Sequence, residues 1–219
     1  METIMKTSLV SLGLWVFGTT LCQSQGFLNL DFESAHLDGY GPGIIPAAIG
    51  IPGWTVYSDY GPGHQILYNT IALDDPAVTI QGSNSTEPEL TPIQGNYTVF
   101  IQGGSPYGYG TIIGILQTGQ IPISTKSLTF WGEVANMQLS FGGQSLVYNS
   151  IGSTGIYTIF GADISAFAGQ IGELKFNITH PGGATLDNIQ FSNSPVPEPG
   201  SLALLVAGSL LGFWQWKRS

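Results

Sequence analysis

The sequence predicts an all-β jelly-roll sandwich, and three observations carry that expectation. Apolar and polar residues alternate over 27–32, 97–101, 127–131 and 137–141, the period of strands that bury one face. Glycine-rich clusters punctuate the chain at 103–106, 142–143, 152–155 and 181–183. Short strands separated by such turns mark sandwiches and barrels. Between residues 25 and 194 no stretch sustains a helical period. The 219 residues are 42% hydrophobic and only 9% charged, which is too apolar and too weakly charged for disorder.

The elements follow in chain order. A single Lys6, an apolar run over 9–21 and the close Cys22-Gln23-Ser24-Gln25 read as a signal peptide, residues 1–24, cut after Ser24. A lipid-modified Cys22 is the alternative, although Leu21 is larger than such signals prefer. Cys22 is the only cysteine, so cleavage leaves a mature chain without disulfide, thiolate ligand or thiol nucleophile. Residues 25–194 then form the sandwich. Besides the four alternating stretches, strands are expected over 111–118, 155–160, 173–179 and 185–191. Trp54 and Trp131 lie in strand-like patterns and are expected in the core. Asp38-Gly-Tyr40-Gly-Pro-Gly43 recurs as Asp59-Tyr60-Gly-Pro-Gly63. Two copies are too few for a solenoid, and the expectation is a pair of turns with glycine at positive φ. A binding role for Asp38 and Asp59 is the other reading.

At the C-terminus, prolines at 195, 197 and 199 set an extended spacer. An apolar run from Ser201 to Trp216 follows, then Lys217-Arg218. As a helix this run reaches about 24 Å, short of a bilayer core of about 30 Å. Its tryptophans suit an interface, and Lys217-Arg218 suit the cytoplasmic side. The order Val196-Pro197-Glu198-Pro199, apolar run, Lys217-Arg218 resembles a PEP-CTERM sorting tail over 195–219. That resemblance implies export in a bacterium, a single transmembrane helix, and processing by an exosortase-type enzyme. The basic cluster is shorter than the family often shows. A plain membrane anchor that is never processed is the alternative.

Within the domain, 162–170 and 173–177 resemble the penultimate turn and strand of galactose-binding-like sandwiches. The stretch 186–191 resembles their closing strand, and 29–33 followed by 51–54 resembles their opening. The whole chain therefore resembles a PEP-CTERM protein with a carbohydrate-binding-module-like jelly roll. The likeness implies a structural Ca²⁺ between the first and last strands, where Glu33 and Asp187 would supply carboxylates. Calcium takes six to eight oxygen ligands. Hydrogen bonding of a turn by Asp187 is the simpler alternative.

Composition narrows the chemistry further. Between 25 and 194 the only bases are Lys126 and Lys175, so nucleic acid, which needs cations to replace counterions, is not an expected partner. There is no Gly-x-Ser-x-Gly elbow, His-Glu-x-x-His pair or P-loop. Carboxylates are the plentiful reactive groups, and a glycosidase needs two across a scissile bond. Asp74-Asp75 read as a turn before Pro76 instead. The leading expectation is thus a non-enzymatic surface or exopolysaccharide-matrix protein. A carbohydrate-binding module is the alternative, and a secreted glycoside hydrolase a further one. Sugar contacts would fall to Tyr107 and Tyr109, whose glycine neighbours expose them, and to Tyr40 and Tyr60.

Overall fold

The structure is a computed structural model, and it describes residues 26–73, 75–85, 91–104 and 112–196. Thirteen strands join one hydrogen-bonded network. They are β1 (Gly43–Pro46), β2 (Thr55–Ser58), β3 (Gly61–Gly63), β4 (Gln65–Tyr68), β5 (Pro76–Gly82), β6 (Tyr97–Gly103) and β7 (Ile112–Gln120). There follow β8 (Ser127–Gly132), β9 (Val134–Phe141), β10 (Gln144–Leu146), β11 (Tyr148–Ser153), β12 (Thr158–Asp163) and β13 (Ile171–Ser192). One helical turn, α1 (Ala47–Gly50), and a 3-10 turn at Ser165–Phe167 are the only helical pieces among the described residues.

The long strand β13 belongs to both layers. Its first half, 171–179, pairs β7 on one side and β9 on the other. Its second half pairs β6 over 183–186 and β8 over 187–192. One layer therefore runs β3-β2-β7-β13-β9-β10 and the other β1-β4-β5-β6-β13-β8-β12-β11. This is the expected all-β, jelly-roll-like architecture, curled so that β5 and β6 approach β7.

The core lies between the layers. Phe130, Phe176, Phe141, Phe32 and Trp54 are buried with Ile80, Ile101, Ile115 and Leu128. Phe130 meets Phe176 edge-on at 5.5 Å, and Phe176 meets Trp54 at 6.2 Å. Edge-to-face pairs at such distances add to simple burial. Trp54 also donates its indole N–H to the Asn29 carbonyl at 2.9 Å, so its polar edge is satisfied inside.

Several expectations need correction. Residues 27–32 alternate like a strand but are not one. Asn29 and Phe32 sit at φ 49° and 58°, and Asn29 bonds the Pro52 carbonyl and the Ser34 amide. Its side chain pins an irregular plug that still buries Phe32. The cluster at 181–183 does not end the strand, but β13 folds over there, since Ile171 beside Gln120 and Ser192 beside Lys126 lie at the same end of the sandwich. A Cβ at Gly182 would lie 2.5 Å from the Ala135 carbonyl, so glycine serves a close strand crossing there. Trp131 is not in the core. Phe130 takes the inward position, and Trp131 faces out, stacked on Tyr157 at 5.6 Å. By contrast, Gly142-Gly143, at φ 55° and 79°, link β9 to β10 with Phe141 opposite Gln144, a two-residue hairpin of the expected kind.

Candidate functional site

The outer face of the β2-β7-β13-β9 layer carries a row built by register. Tyr57 pairs Gly114, Gly114 pairs Asn177, and Asn177 pairs Gln138. Strand alternation sends Val56, Ile113, Ile115, Phe176, Ile178, Met137 and Leu139 inward. It leaves the row facing out. Gly114 makes the floor low: a Cβ there would come within 2.1 Å of the Phe176 carbonyl. Beside this row lie Lys175, Ser140 and Ser145, again in register. Tyr57, Asn177, Gln138, Lys175, Ser140 and Ser145 line a trough of about 240 Å³.

The trough is polar and braced. Asn177 donates to the Gln138 side-chain oxygen at 3.2 Å. Lys175 is 3.0 Å from Glu173 and stands 4.4 Å over the Tyr57 ring, where the ring quadrupole favours a cation. Amides, hydroxyls, one ammonium and one phenol ring surround a backbone floor. Such a surface can hydrogen-bond a ligand rich in hydroxyl groups.

A second constellation gathers Glu33 and Asp187 on one segment. Asp187, fully buried on β13, accepts from the Thr98 hydroxyl at 2.6 Å, the Gln94 amide at 3.1 Å and the Asn188 amide at 2.6 Å. Glu33 accepts from the Asn96 amide at 2.8 Å, the Asn96 side chain at 2.9 Å and the Tyr97 amide at 3.0 Å. The two carboxylates thus clasp residues 94–98 from both sides. Burial pushes the Asp187 carboxyl up to about 6, against the pull of its hydrogen bonds, and the charge of Glu33 adds to the rise. Among the described residues no third His, Cys, Asp or Glu joins them. All four oxygens of the pair thus accept hydrogen bonds from N–H or O–H groups, which is the turn-bonding role given as the alternative for Asp187; their oxygen-only donor set is of the kind that hard cations use.

The tyrosines expected at a ligand site are not one cluster. Tyr60 is exposed in the turn between β2 and β3, beside Ile112, whose amide donates to Asp59 at 2.9 Å. Tyr40 closes a turn on Leu37 near Asp38, whose charge helps raise the Tyr97 hydroxyl at the start of β6. These are opposite ends of the sandwich. Gly39, Gly43 and Gly61 of the repeated segment adopt positive φ, as turns require. Tyr107 and Tyr109 lie outside the described residues. Sequence reasoning missed the trough because β2 is short and Tyr57 precedes its partner on β7, Gly114, by more than fifty residues. The one available signal was Gly114 interrupting the apolar run 112–116 at the start of β7.

Val196 of the expected sorting signal is described, and a methyl group of it lies 3.3 Å from where a Cβ on Gly161 would stand. Pro197, Glu198, Pro199, Lys217 and Arg218 lie outside the described residues. Residues 195–219 match the PEP-CTERM protein-sorting motif. The PEP-CTERM signal marks the chain as an exported protein sorted to the cell surface. No helix among the described residues is long and apolar enough to cross a membrane.

Comparison with curated proteins finds no match. Among solved structures, the sandwich is similar to the Stig cyclase Fisc of Fischerella sp. TAU, with 18% identity and a TM-score of 0.50. That match covers 80% of this chain and 98% of the cyclase, which was solved with (3Z)-3-(1-methyl-2-pyrrolidinylidene)-3H-indole. TmCBM61, solved with β-1,4-galactotriose, gives 15% identity and a TM-score of 0.42 over 78% of this chain and all (100%) of its own. The family 11 carbohydrate-binding module of Clostridium thermocellum gives 12% and 0.35, over 72% and 98%. At 18% identity the cyclase match speaks to fold alone.

Proposed function

We propose that this PEP-CTERM protein is a non-catalytic component of the bacterial surface or its exopolysaccharide matrix. The match at 195–219 carries this reading. The signal peptide 1–24 starts export, the apolar run from Ser201 holds the chain in the membrane as one helix, and an exosortase-type enzyme acts at the segment bearing Pro197-Glu198-Pro199. Intact mass from the native host tests it. Processed protein lacks residues 1–24 and the tail beyond about residue 199. A membrane-bound mass retaining 202–219 would instead mean a simple anchor.

A second reading is favoured by the trough between Tyr57 and Asn177. There the sandwich would hold a glycan, with hydroxyl groups on Asn177, Gln138, Ser140 and Lys175 and a sugar face against Tyr57. Tyr40, Tyr60, Tyr107 and Tyr109 are the alternative contacts. A glycan array with wild type, Tyr57→Ala and the Tyr40, Tyr60, Tyr107 and Tyr109 alanine variants separates the two surfaces. Binding lost only in Tyr57→Ala assigns the trough. Release of reducing sugar would restore the hydrolase reading.

We further propose that Glu33 and Asp187 hold a structural Ca²⁺. The ion would supply positive charge to two carboxylates that burial otherwise sets against each other, and would tie residues 94–98 to the opening and closing segments of the domain.

A further inference from the structure

Both addressed segments leave the sandwich at one end. Gly26, the first described residue, bridges Gln120 at the close of β7. At the other terminus the Ser192 carbonyl accepts the Lys126 amide at 2.7 Å, and the Ser194 carbonyl accepts the Ser127 hydroxyl at 2.8 Å. The loop that joins these places is tied to the turn after the 3-10 piece. The Ile121 amide donates to Gln170, and the Gly169 amide to Ile121, each at 3.0 Å. The turn carrying Tyr60 lies at the far end.

The terminal end exposes apolar side chains, as Leu73, Val147 and Ile156 do elsewhere on the described surface. Ile123 is 83% exposed and Ile171 63%, and a Cβ on Gly169 would stand 3.5 Å from Ile123, so Ile123 lies against the turn that leads into Ile171, the first residue of β13. Lys126 is exposed beside them, and it is one of only two bases between 25 and 194. Its counterpart Lys175 is engaged by Glu173. Asp163, the acid beside Lys126, is turned into the Ser165 amide at 2.9 Å.

Chain length then limits where this end can be. Four residues, 197–200, separate Val196 from the apolar run that begins at Ser201. At full extension the five steps from Val196 to Ser201 span no more than about 18 Å. That is comparable to the depth of the headgroup region, roughly 5–8 Å on each side of the hydrocarbon core, plus one layer of side chains.

We propose that, before processing, the sandwich sits on the bilayer through this end, with Ile123 and Ile171 in the headgroup layer and Lys126 against lipid phosphate. The inference rests on the reading of 201–216 as the membrane anchor. It gives the domain a fixed attitude, with Tyr60 and the far loops pointing away from the lipid.

The test uses the full chain after leader removal, in vesicles of phosphatidylethanolamine and phosphatidylglycerol. The mature chain has no cysteine, so Ile123→Cys, Ile171→Cys and Tyr60→Cys each offer one site for an environment-sensitive fluorophore. All three positions are exposed, and near-ultraviolet circular dichroism confirms that each variant folds. A quencher carried on the lipid should reduce emission at 123 and 171 at least threefold more than at 60. Equal quenching at all three positions, in chains that float with the vesicles, overturns the docking and leaves the anchor intact. Chains that do not float overturn the anchor and the docking together.

Discussion

Asp187 and Thr98 share a 2.6 Å hydrogen bond at the centre of a fully buried polar row on β5, β6 and β13. Gln81 lies opposite Thr98 in the same row. An ionised carboxylate in such a place costs stability unless a cation meets it.

The sign of the pH dependence follows. The Asp187 carboxyl titrates near 6 in the folded chain and near 3.8 when exposed. Between those values the folded state holds more protons, so stability is greatest below about 4 and falls as pH rises through 6. The loss is about 3 kcal/mol at roughly 1.4 kcal/mol per unit. Thermal melts in chelator should show Tm dropping by roughly 6–12 °C from pH 4 to pH 7, with the Asp187→Asn profile flat over that window. An equally steep profile in Asp187→Asn would place the titration elsewhere.

Calcium should oppose that loss. At pH 7, millimolar Ca²⁺ is expected to raise Tm in the wild type and to leave Glu33→Gln and Asp187→Asn unmoved. Magnesium, which demands tighter octahedral geometry, should do less. A wild-type Tm insensitive to calcium, with no heat of binding by calorimetry, removes the ion.

Gln81 offers a different experiment. Its side chain is buried, and neither amide atom has a partner. Leaving such groups unsatisfied costs about 1–3 kcal/mol, whereas an apolar group of similar shape avoids that cost. Gln81→Met should therefore raise the urea midpoint with an unchanged m-value. A lower midpoint would mean that the amide is satisfied in solution.

The two adjacent aromatics of β8 should behave oppositely. Phe130 is fully buried against Phe176 and Phe160, and Phe130→Ala should cost about 3–5 kcal/mol. Trp131→Ala removes an outward ring stacked on Tyr157 and should cost less than half as much. Equal losses would contradict the assigned faces.

Much of the later half of the fold was legible because its strands are long and alternate cleanly. β6, β8, β9 and both halves of β13 follow the period of two, and Gly142-Gly143 announced their own hairpin. The early half was not. β1 to β4 have only three or four residues each, too few for a period to show, and β5 is buried on both faces from Val78 onward, so it does not alternate. Residues 27–32 misled for the opposite reason: their alternation is real, but Asn29 satisfies its neighbours with its side chain and bends the backbone out of any ladder. The trough was hidden because it is assembled across four strands, and period alone cannot say which strands become neighbours.

The strand that unites the two layers also ends in the tail. β13 runs antiparallel to β6, β7, β8 and β9 and passes into Val196 after one bend. Any tension transmitted from a tethered C-terminus therefore enters the sandwich along the axis of its most widely bonded strand. Such a pull strains the ladder bonds of β13 in shear, many at once, rather than peeling them singly from a sheet edge. A domain exposed to fluid flow would resist extraction through its own tether, and would yield first at β1 or β3, where the edges are short.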